Sequence, residues 1–387
     1  MSASEDQTVN GDQTVNENLT RIVAEIVAPE AAEIDRSASF PRKAIDALAD
    51  AGVLALTVPA EFGGGGGSLR DAARVVRTLA GACGSTAMVV MMHYSAVAAL
   101  VAAGRAAELR EIASSRHLST LAFSEAGSRS HFWAPMSSAT ADGDQVVLTA
   151  RKSWVTSAGQ ADSLVWSSRP VTGDGPMTLW FVPADTPGLS VAGKFDGLGL
   201  RGNNSTPMAA DQVRVPSSAL LGTDGGGLDL ALSAVLPVFL LLNASAGIGL
   251  MEAVTTKTIA HLGRTRLEHL GRSLAEQPEP RAAVARMRID TDRTAALVDA
   301  ALSAIEEGRP EAQLLVLEVK AAADESAAAT ADLAMLTCGG SAFRKELGLE
   351  RRFRDSRAAR VMAPTTAALH DFVGRALTGL PLLDGPA

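Results

Sequence analysis

A chain of 387 residues with 47% apolar content is long enough for two or three globular domains. A net charge of −8 offers no basic surface to nucleic acid or an anionic membrane, so neither is a partner. Two distant cysteines, Cys83 and Cys338, imply neither a disulfide framework nor a metal site and fit a reducing cytoplasm.

Residues 1–17 are polar and acidic and carry Asp-Gln-Thr-Val-Asn twice, at 6–10 and 12–16. They read as a disordered tail with a small duplication, not as a signal peptide. From 18 to 118 the pattern is helical. Apolar residues recur at three- and four-residue spacing in Ile22, Val23, Ile26 and Val27, in Ala44, Ile45, Leu48 and Ala49, and in a long run over 72–103. Val58-Pro59-Ala60-Glu61-Phe62 and five following glycines interrupt it as a loop. The glycines weakly suggest a phosphate loop, but the Lys-Ser/Thr of that motif is missing. His93 and Tyr94 sit in the apolar stretch 87–103.

Residues 119–223 read as β structure. Val146, Val147 and Leu148 lead into Ala150, Trp154 and Thr156, with Asp142-Gly143-Asp144 as the turn before them, which signals a hairpin. Further strands fall at 164–168, 179–182, 189–191 and 209–215. Ser124, Ser128 and Thr156 offer small hydroxyls, Gly127 lets a backbone approach closely, and Trp154 supplies a flat ring. Such a set suits a large planar heteroaromatic with polar edges.

Residues 224–387 return to helix, with apolar periodicity through 228–263, 281–306, 311–340 and 358–378. The most apolar run, 228–251, contains Pro237, Asn243, Ser245 and two glycines. It reads as a buried helix starting near Pro237, not a membrane span.

The motifs resemble those of the acyl-CoA dehydrogenase family of flavoproteins, over nearly the whole chain after the tail. Ser124-Glu125-Ala126-Gly127-Ser128 resembles the family's Thr-Glu-x-x-Ala-Gly-Ser-Asp element, two residues shorter, and Lys152-Ser153-Trp154-Val155-Thr156-Ser157 resembles Lys-x-Trp-Ile-Thr-Asn. Val58-Pro59 and the glycines resemble its Val-Pro-Glu-x-x-Gly-Gly turn. Gly339-Gly340-Ser341-Ala342-Phe343 resembles Gly-Gly-x-Gly-Phe/Tyr, and 350–357 resembles Glu-Arg-x-x-Arg-Asp-Ala-Arg. The resemblance implies an α+β multi-domain fold: a helical domain, a β-barrel-like domain and a C-terminal four-helix bundle. It implies bound FAD, an acyl-CoA or acyl-carrier-protein substrate, an electron-accepting flavoprotein, and a homotetramer or homodimer. By the same carry-over, Phe123, Ser124, Gly127, Ser128, Trp154, Thr156 and Thr365 hold the cofactor. Gly339, Gly340 and Arg264 reach a neighbour's cofactor, although the Arg-x-x-Phe-Gly element near Arg264 is degraded to Glu268-His269-Leu270-Gly271. Glu125 reads as structural, and Arg354-Asp355 as part of an ion pair between helices.

The chain departs from the family at its base. In many members a glutamate in a Tyr-Glu-Gly-Thr turn takes the substrate α-proton; the equivalent turn here is Met362-Ala363-Pro364-Thr365. A minority branch carries the glutamate on the first bundle helix, where this chain has Phe239, with Leu240 in place of the adjacent arginine. Phe239, Leu240, Ala363, His93 and Trp133 are therefore the candidate substrate-lining residues, and the catalytic residue is open. Without a base at Cα, ordinary α,β-dehydrogenation loses a factor of about 10²–10⁴. Three readings follow. One is γ,δ-dehydrogenation of a 2-enoyl thioester, such as 2-pentenoyl to a 2,4-diene in polyketide extender-unit biosynthesis. Another is a flavin-dependent monooxygenase served by a separate reductase. The third is a flavin-binding paralogue whose catalysis has decayed.

Overall fold

A computed structural model describes residues 15–128 and 131–383. The repeat at 6–10 and most of the tail lie outside the described residues, as does Arg129 beside the serine-rich turn. Val15 to Glu17, assigned to the tail from sequence, are already helical.

Two compact units result. The first comprises residues up to Val75, Ser85–Asp196 and Arg201–Phe239; the second comprises Val76–Gly84, Gly197–Leu200 and the chain from Leu240 onward. The helices in chain order are α1 (Ala28–Ser37, following a π turn at Val23–Val27), α2 (Arg42–Asp50), α3 (Leu69–Ala82), α4 (Gly84–Ala102) and α5 (Ala106–Ser114). The apolar run over 72–103 is thus two helices, broken at Cys83.

The glycine run folds back on the segment before it. The N–H groups of Gly63, Gly64, Gly65, Gly66 and Gly67 donate to the carbonyls of Ala60, Pro59, Ala55, Val58 and Leu56. With every donor engaged inside the loop, none is left to cradle an anion, so the phosphate-loop pattern has no physical content here.

Eight strands build the rest of the first unit: β1 (Ser119–Ala122), β2 (Ser138–Asp142), β3 (Gln145–Val155), β4 (Ser163–Ser168), β5 (Thr178–Pro183), β6 (Leu189–Val191), β7 (Thr206–Pro216) and β8 (Leu220–Leu221). They form two four-stranded sheets, ordered β1-β4-β5-β8 and β2-β3-β7-β6. The expected hairpin is β2–β3 around Gly143. β1 instead runs parallel to β4. One core joins the sheets. Val146, Leu148 and Ala150 of β3 alternate inward to meet Leu164, Trp166, Trp180, Val182 and Val213.

The first unit ends with α6 (Gly227–Leu230) and a π turn at Ala231–Val235, which run without a break into the long helix α7 (Leu236–Arg264), part of the second unit from Leu240 onward. The helical run therefore starts ten residues before the site expected at Pro237. Proline removes one donor from the helix interior, and the π turn directly before it lets the helix absorb that loss. Then come α8 (Pro278–Glu306), α9 (Ala312–Cys338), α10 (Leu349–Asp355), α11 (Ala358–Val361) and α12 (Thr366–Leu377). Leu250, Met251 and Val254 of α7 pack on Met287, Ala327, Ala334 and Leu349. A Cβ on Gly249 would lie 2.0 Å from the Arg77 carbonyl oxygen, so only glycine admits this backbone approach. The apolar windows in Gly84–Ala102 and Gly227–Arg264 are 78% and 72% buried, as core helices are.

Candidate functional site

One group of candidate site residues lies at the end of β3. Between Lys152 and Val155 the β3–β7 register shifts, with three steps on β3 against two on β7. This bulge puts Trp154 in the left-handed region, at φ +58°, and leaves its ring 68% exposed. A tryptophan so held costs about 1–3 kcal/mol, a strain that concentrates at ligand-holding sites. Gly127 turns the facing loop at φ +96°.

A buried ion pair anchors both segments. Lys152 follows the inward parity of Val146, Leu148 and Ala150, so β3 drives a lysine into the core. Its ammonium is wholly enclosed and donates to Glu125, to the Ser167 carbonyl at 2.7 Å and to the Ser167 hydroxyl at 2.8 Å. That uses its three protons. Glu125 also accepts the Met136 N–H at 2.6 Å, the Ser137 N–H at 2.7 Å and the Ser137 hydroxyl. Burial pulls Lys152 down to about 8, against the pull of Glu125. Burial pushes the Glu125 carboxyl up, but Lys152, Ser137 and Met136 together outweigh it and hold the group below its ordinary value. Glu125 is thus the structural residue expected from its sequence position.

Around this anchor the remaining residues divide. The Ser128 hydroxyl is buried and makes only a long contact, 3.4 Å, to the Glu125 carbonyl. The Ser124 carbonyl accepts the Ser153 N–H, tying the two segments together. Phe123 stacks on Phe132, and Trp133 meets Phe132 and His131 edge-on. Thr156 shares its hydroxyl with Ser205 at 2.9 Å. The adjacent Ser157 is buried at φ +60° and its hydroxyl has no partner. It lines a cavity of about 100 Å³ with Leu164, Ala184, Leu189 and Met208. Sequence reasoning did not single out Ser157, because its orphaned hydroxyl depends on the fold. An exposed, strained ring three residues from the unpartnered Ser157 hydroxyl fits a planar group with polar edges.

His93 requires a correction. It is fully buried in the first unit; one ring nitrogen lies 2.9 Å from the Leu54 carbonyl and the other accepts the Ser119 N–H at 3.0 Å. Both nitrogens are engaged, so His93 is a core fastener and not a channel residue. Phe239 is nearly buried, and Leu240 on α7 is wholly buried, which makes Leu240 core as well.

Other residues that the resemblance assigns to a cofactor lie within the helical unit. α9 ends where Gly339 turns at φ +56°; a Cβ on Gly339 or Gly340 would meet nothing within 4 Å. Leu336 and Phe343 flank these glycines, 78% and 80% exposed. Arg264 is exposed at the end of α7. Arg354 pairs with Glu350 one turn back at 2.8 Å and donates to the Leu198 carbonyl, while Asp355 accepts the Leu200 N–H at 2.6 Å.

The turn carrying Ala363 follows α11. Thr365 caps α12 by accepting the Ala368 N–H at 3.2 Å, so one lone pair of its hydroxyl is committed locally. The acid beside this turn is Asp324 of α9, buried and engaged by Lys320 at 2.8 Å and the Thr366 hydroxyl at 3.1 Å. Burial pulls the Lys320 ammonium down and pushes the Asp324 carboxyl up, each opposed by the other.

Comparison with known proteins gives the class. Models of the acyl-CoA dehydrogenase N-terminal, middle and C-terminal domains match residues 11–112, 120–213 and 225–378. The chain belongs to the acyl-CoA dehydrogenase family, FAD-dependent oxidoreductases acting on CH–CH bonds. It is similar to cyclohex-1-ene-1-carbonyl-CoA dehydrogenase of Syntrophus aciditrophicus, 27% identical over 369 residues, covering 93% of this chain and 88% of the relative. The butyryl-CoA dehydrogenase of Megasphaera elsdenii shares the fold at a TM-score of 0.89, with 20% identity and coverage of 95% and 98%. FkbI, described as serving biosynthesis of the methoxymalonyl extender unit of a polyketide, matches at a TM-score of 0.83 with 27% identity, covering 94% of this chain and 99% of that one.

Proposed function

We propose that this protein is an FAD-dependent dehydrogenase that desaturates a short 2-enoyl thioester at its γ,δ bond, for example 2-pentenoyl to the 2,4-diene. The observation behind it is Ala363 in the turn where the family carries its base, with apolar Phe239 at the alternative position. Asp324, the acid beside that turn, is engaged by Lys320 and Thr366. A saturated thioester presents only a weakly acidic Cα–H. In a 2-enoyl thioester the Cγ–H is acidified by conjugation, because charge from Cγ delocalises to the carbonyl oxygen. Loss of the Cγ proton to water and of hydride, which carries the electron pair, from Cδ gives the diene. Accepting that electron pair is the chemistry FAD supplies when bound. Trp154, Gly127, Ser128 and Thr156 would hold it, with Phe123 and Ser124 adjoining; the motif resemblance adds Thr365, and the electrons would pass to an electron-accepting flavoprotein.

Two likenesses support the reading. The Syntrophus relative is named for a 1-ene-1-carbonyl thioester, itself α,β-unsaturated, and FkbI serves polyketide extender-unit synthesis. The loss of the family's acidic and basic groups at Pro237 and Leu240 favours a carrier-protein-borne pantetheine over free CoA. The exposed Leu336 and Phe343 around Gly339 and Gly340 favour a homotetramer or homodimer, in which Gly339, Gly340 and Arg264 reach a neighbour's cofactor. The chain is assigned to the cytoplasm.

The decisive assay offers butanoyl, pentanoyl and 2-pentenoyl thioesters, each on CoA and on a carrier protein, with FAD and an electron acceptor. Loss of two mass units from 2-pentenoyl alone is the expected result. Ready oxidation of butanoyl thioester would overturn the base argument. A gain of sixteen units with reduced flavin and O₂ identifies a monooxygenase, and no turnover of FAD-loaded protein points to the decayed paralogue.

A further inference from the structure

The loop between α11 and α12 has little regular structure of its own, yet one side chain from another helix gathers its backbone. Lys320 is fully buried on α9, among Val316, Leu317, Val319, Ala321 and Ala323. Its ammonium reaches the carbonyls of Ala359 at 2.8 Å and Pro364 at 3.1 Å, with Met362 at 3.4 Å, and the Asp324 carboxylate at 2.8 Å. Asp324 in turn accepts the hydroxyl of Thr366, beyond the same loop. Carbonyls from both sides of Ala363 thus converge on a single cation.

A packing role does not require charge at this place. The neighbours on α9 are aliphatic, and replacing a buried ion pair by apolar residues of similar volume is often neutral or stabilising. What an ammonium adds is directional bonding that ties carbonyls from both sides of Ala363 to one point.

We propose that Lys320, braced by Asp324, is a positioning residue that fixes the 359–364 turn and so sets where the residue at 363 stands against the acyl chain. The inference rests on the reading above that this turn faces the substrate.

The test uses full-length, FAD-loaded enzyme and the variant Lys320→Met/Asp324→Leu, which removes both charges together. A milder variant, Asp324→Asn, keeps an oxygen acceptor for Lys320 and Thr366 should the double change prevent folding. Amide hydrogen exchange over 361–366 is expected to accelerate about 10-fold or more, with exchange across α9 unchanged. kcat for the thioester should fall by up to about 100-fold, as displacement of a positioned group by an ångström does, with KM held within a few-fold. Asp324→Asn should fall between wild type and the double variant on both scales. Unchanged exchange over 361–366 in a folded variant overturns the proposal, as does faster exchange with unchanged kcat. If the loop loosens but wild-type enzyme turns over no thioester, the clamp stands and the functional reading falls.

Discussion

His93 shows how a single residue's surroundings decide its chemistry. Its imidazole is neutral because burial pulls the pKa down to about 4, outweighing the hydrogen-bonding Leu54 carbonyl. The unfolded chain titrates near 6.5, so between those values it binds a proton that the folded chain refuses. Stability is full above about pH 6.5 and falls as pH drops towards 4, by about 3 kcal/mol in all. Denaturant titrations at stepped pH should show that slope, and His93→Gln should flatten it. In the proposed reading Trp154 makes the opposite case: its strain serves a ligand and not the fold. Trp154→Gly should leave the apoprotein as stable or raise its stability by about 1 kcal/mol, yet weaken FAD binding by about 10-fold. Equal loss of both, read by calorimetry and flavin fluorescence, would make Trp154 an ordinary packing residue. Sequence reasoning expected a cofactor role for Trp154 but not its strained backbone, and it placed His93 among the substrate-lining candidates. An apolar run around His93 suits a channel wall as well as a core, and only the Leu54 and Ser119 contacts separate the two.

At the scale of elements, the strands were legible because alternation is a local signal. The bulges were not, because a register shift depends on which β7 residues sit opposite β3. Lys152 stands on the inward parity of β3 and was open to detection on that ground alone. Its partner Glu125, 27 residues earlier, was marked only as structural. Lys152→Met should unfold more easily by about 3–5 kcal/mol, since it strands the Glu125 carboxylate in the core. The same change should cost the protein its flavin, because the pair ties Trp154's strand to the Gly127 loop. An absorbance spectrum and a urea melt on one sample check both. The start of the α6–α7 run was misplaced for a related reason. Proline is a reliable helix-start signal by propensity, and a π turn that absorbs it mid-helix leaves no clear local mark.

For the whole molecule, the order of helical, β and helical segments followed from periodicity together with the motif resemblance. What the sequence did not show is that the N-terminal helices share a compact unit with the strands, which depends on contacts distant along the chain. Self-association is tested at Phe343. Phe343→Glu places a charge on an exposed apolar surface and should leave the monomer folded. Light scattering is expected to show a smaller particle, and flavin retention should drop with it. An unchanged particle size would remove Phe343 from any contact between copies.

The five glycines at 63–67 have a practical bearing on anyone dissecting the molecule. By composition they resemble a hinge, the natural place for a protease nick, a domain cut or a new terminus. Yet each N–H is tied to a carbonyl between Ala55 and Ala60, and a Cβ on Gly64 would sit 2.2 Å from the Val58 oxygen. The stretch behaves as masonry rather than string. A truncation ending there would cut a folded loop, and even alanine at Gly64 would push the backbone apart.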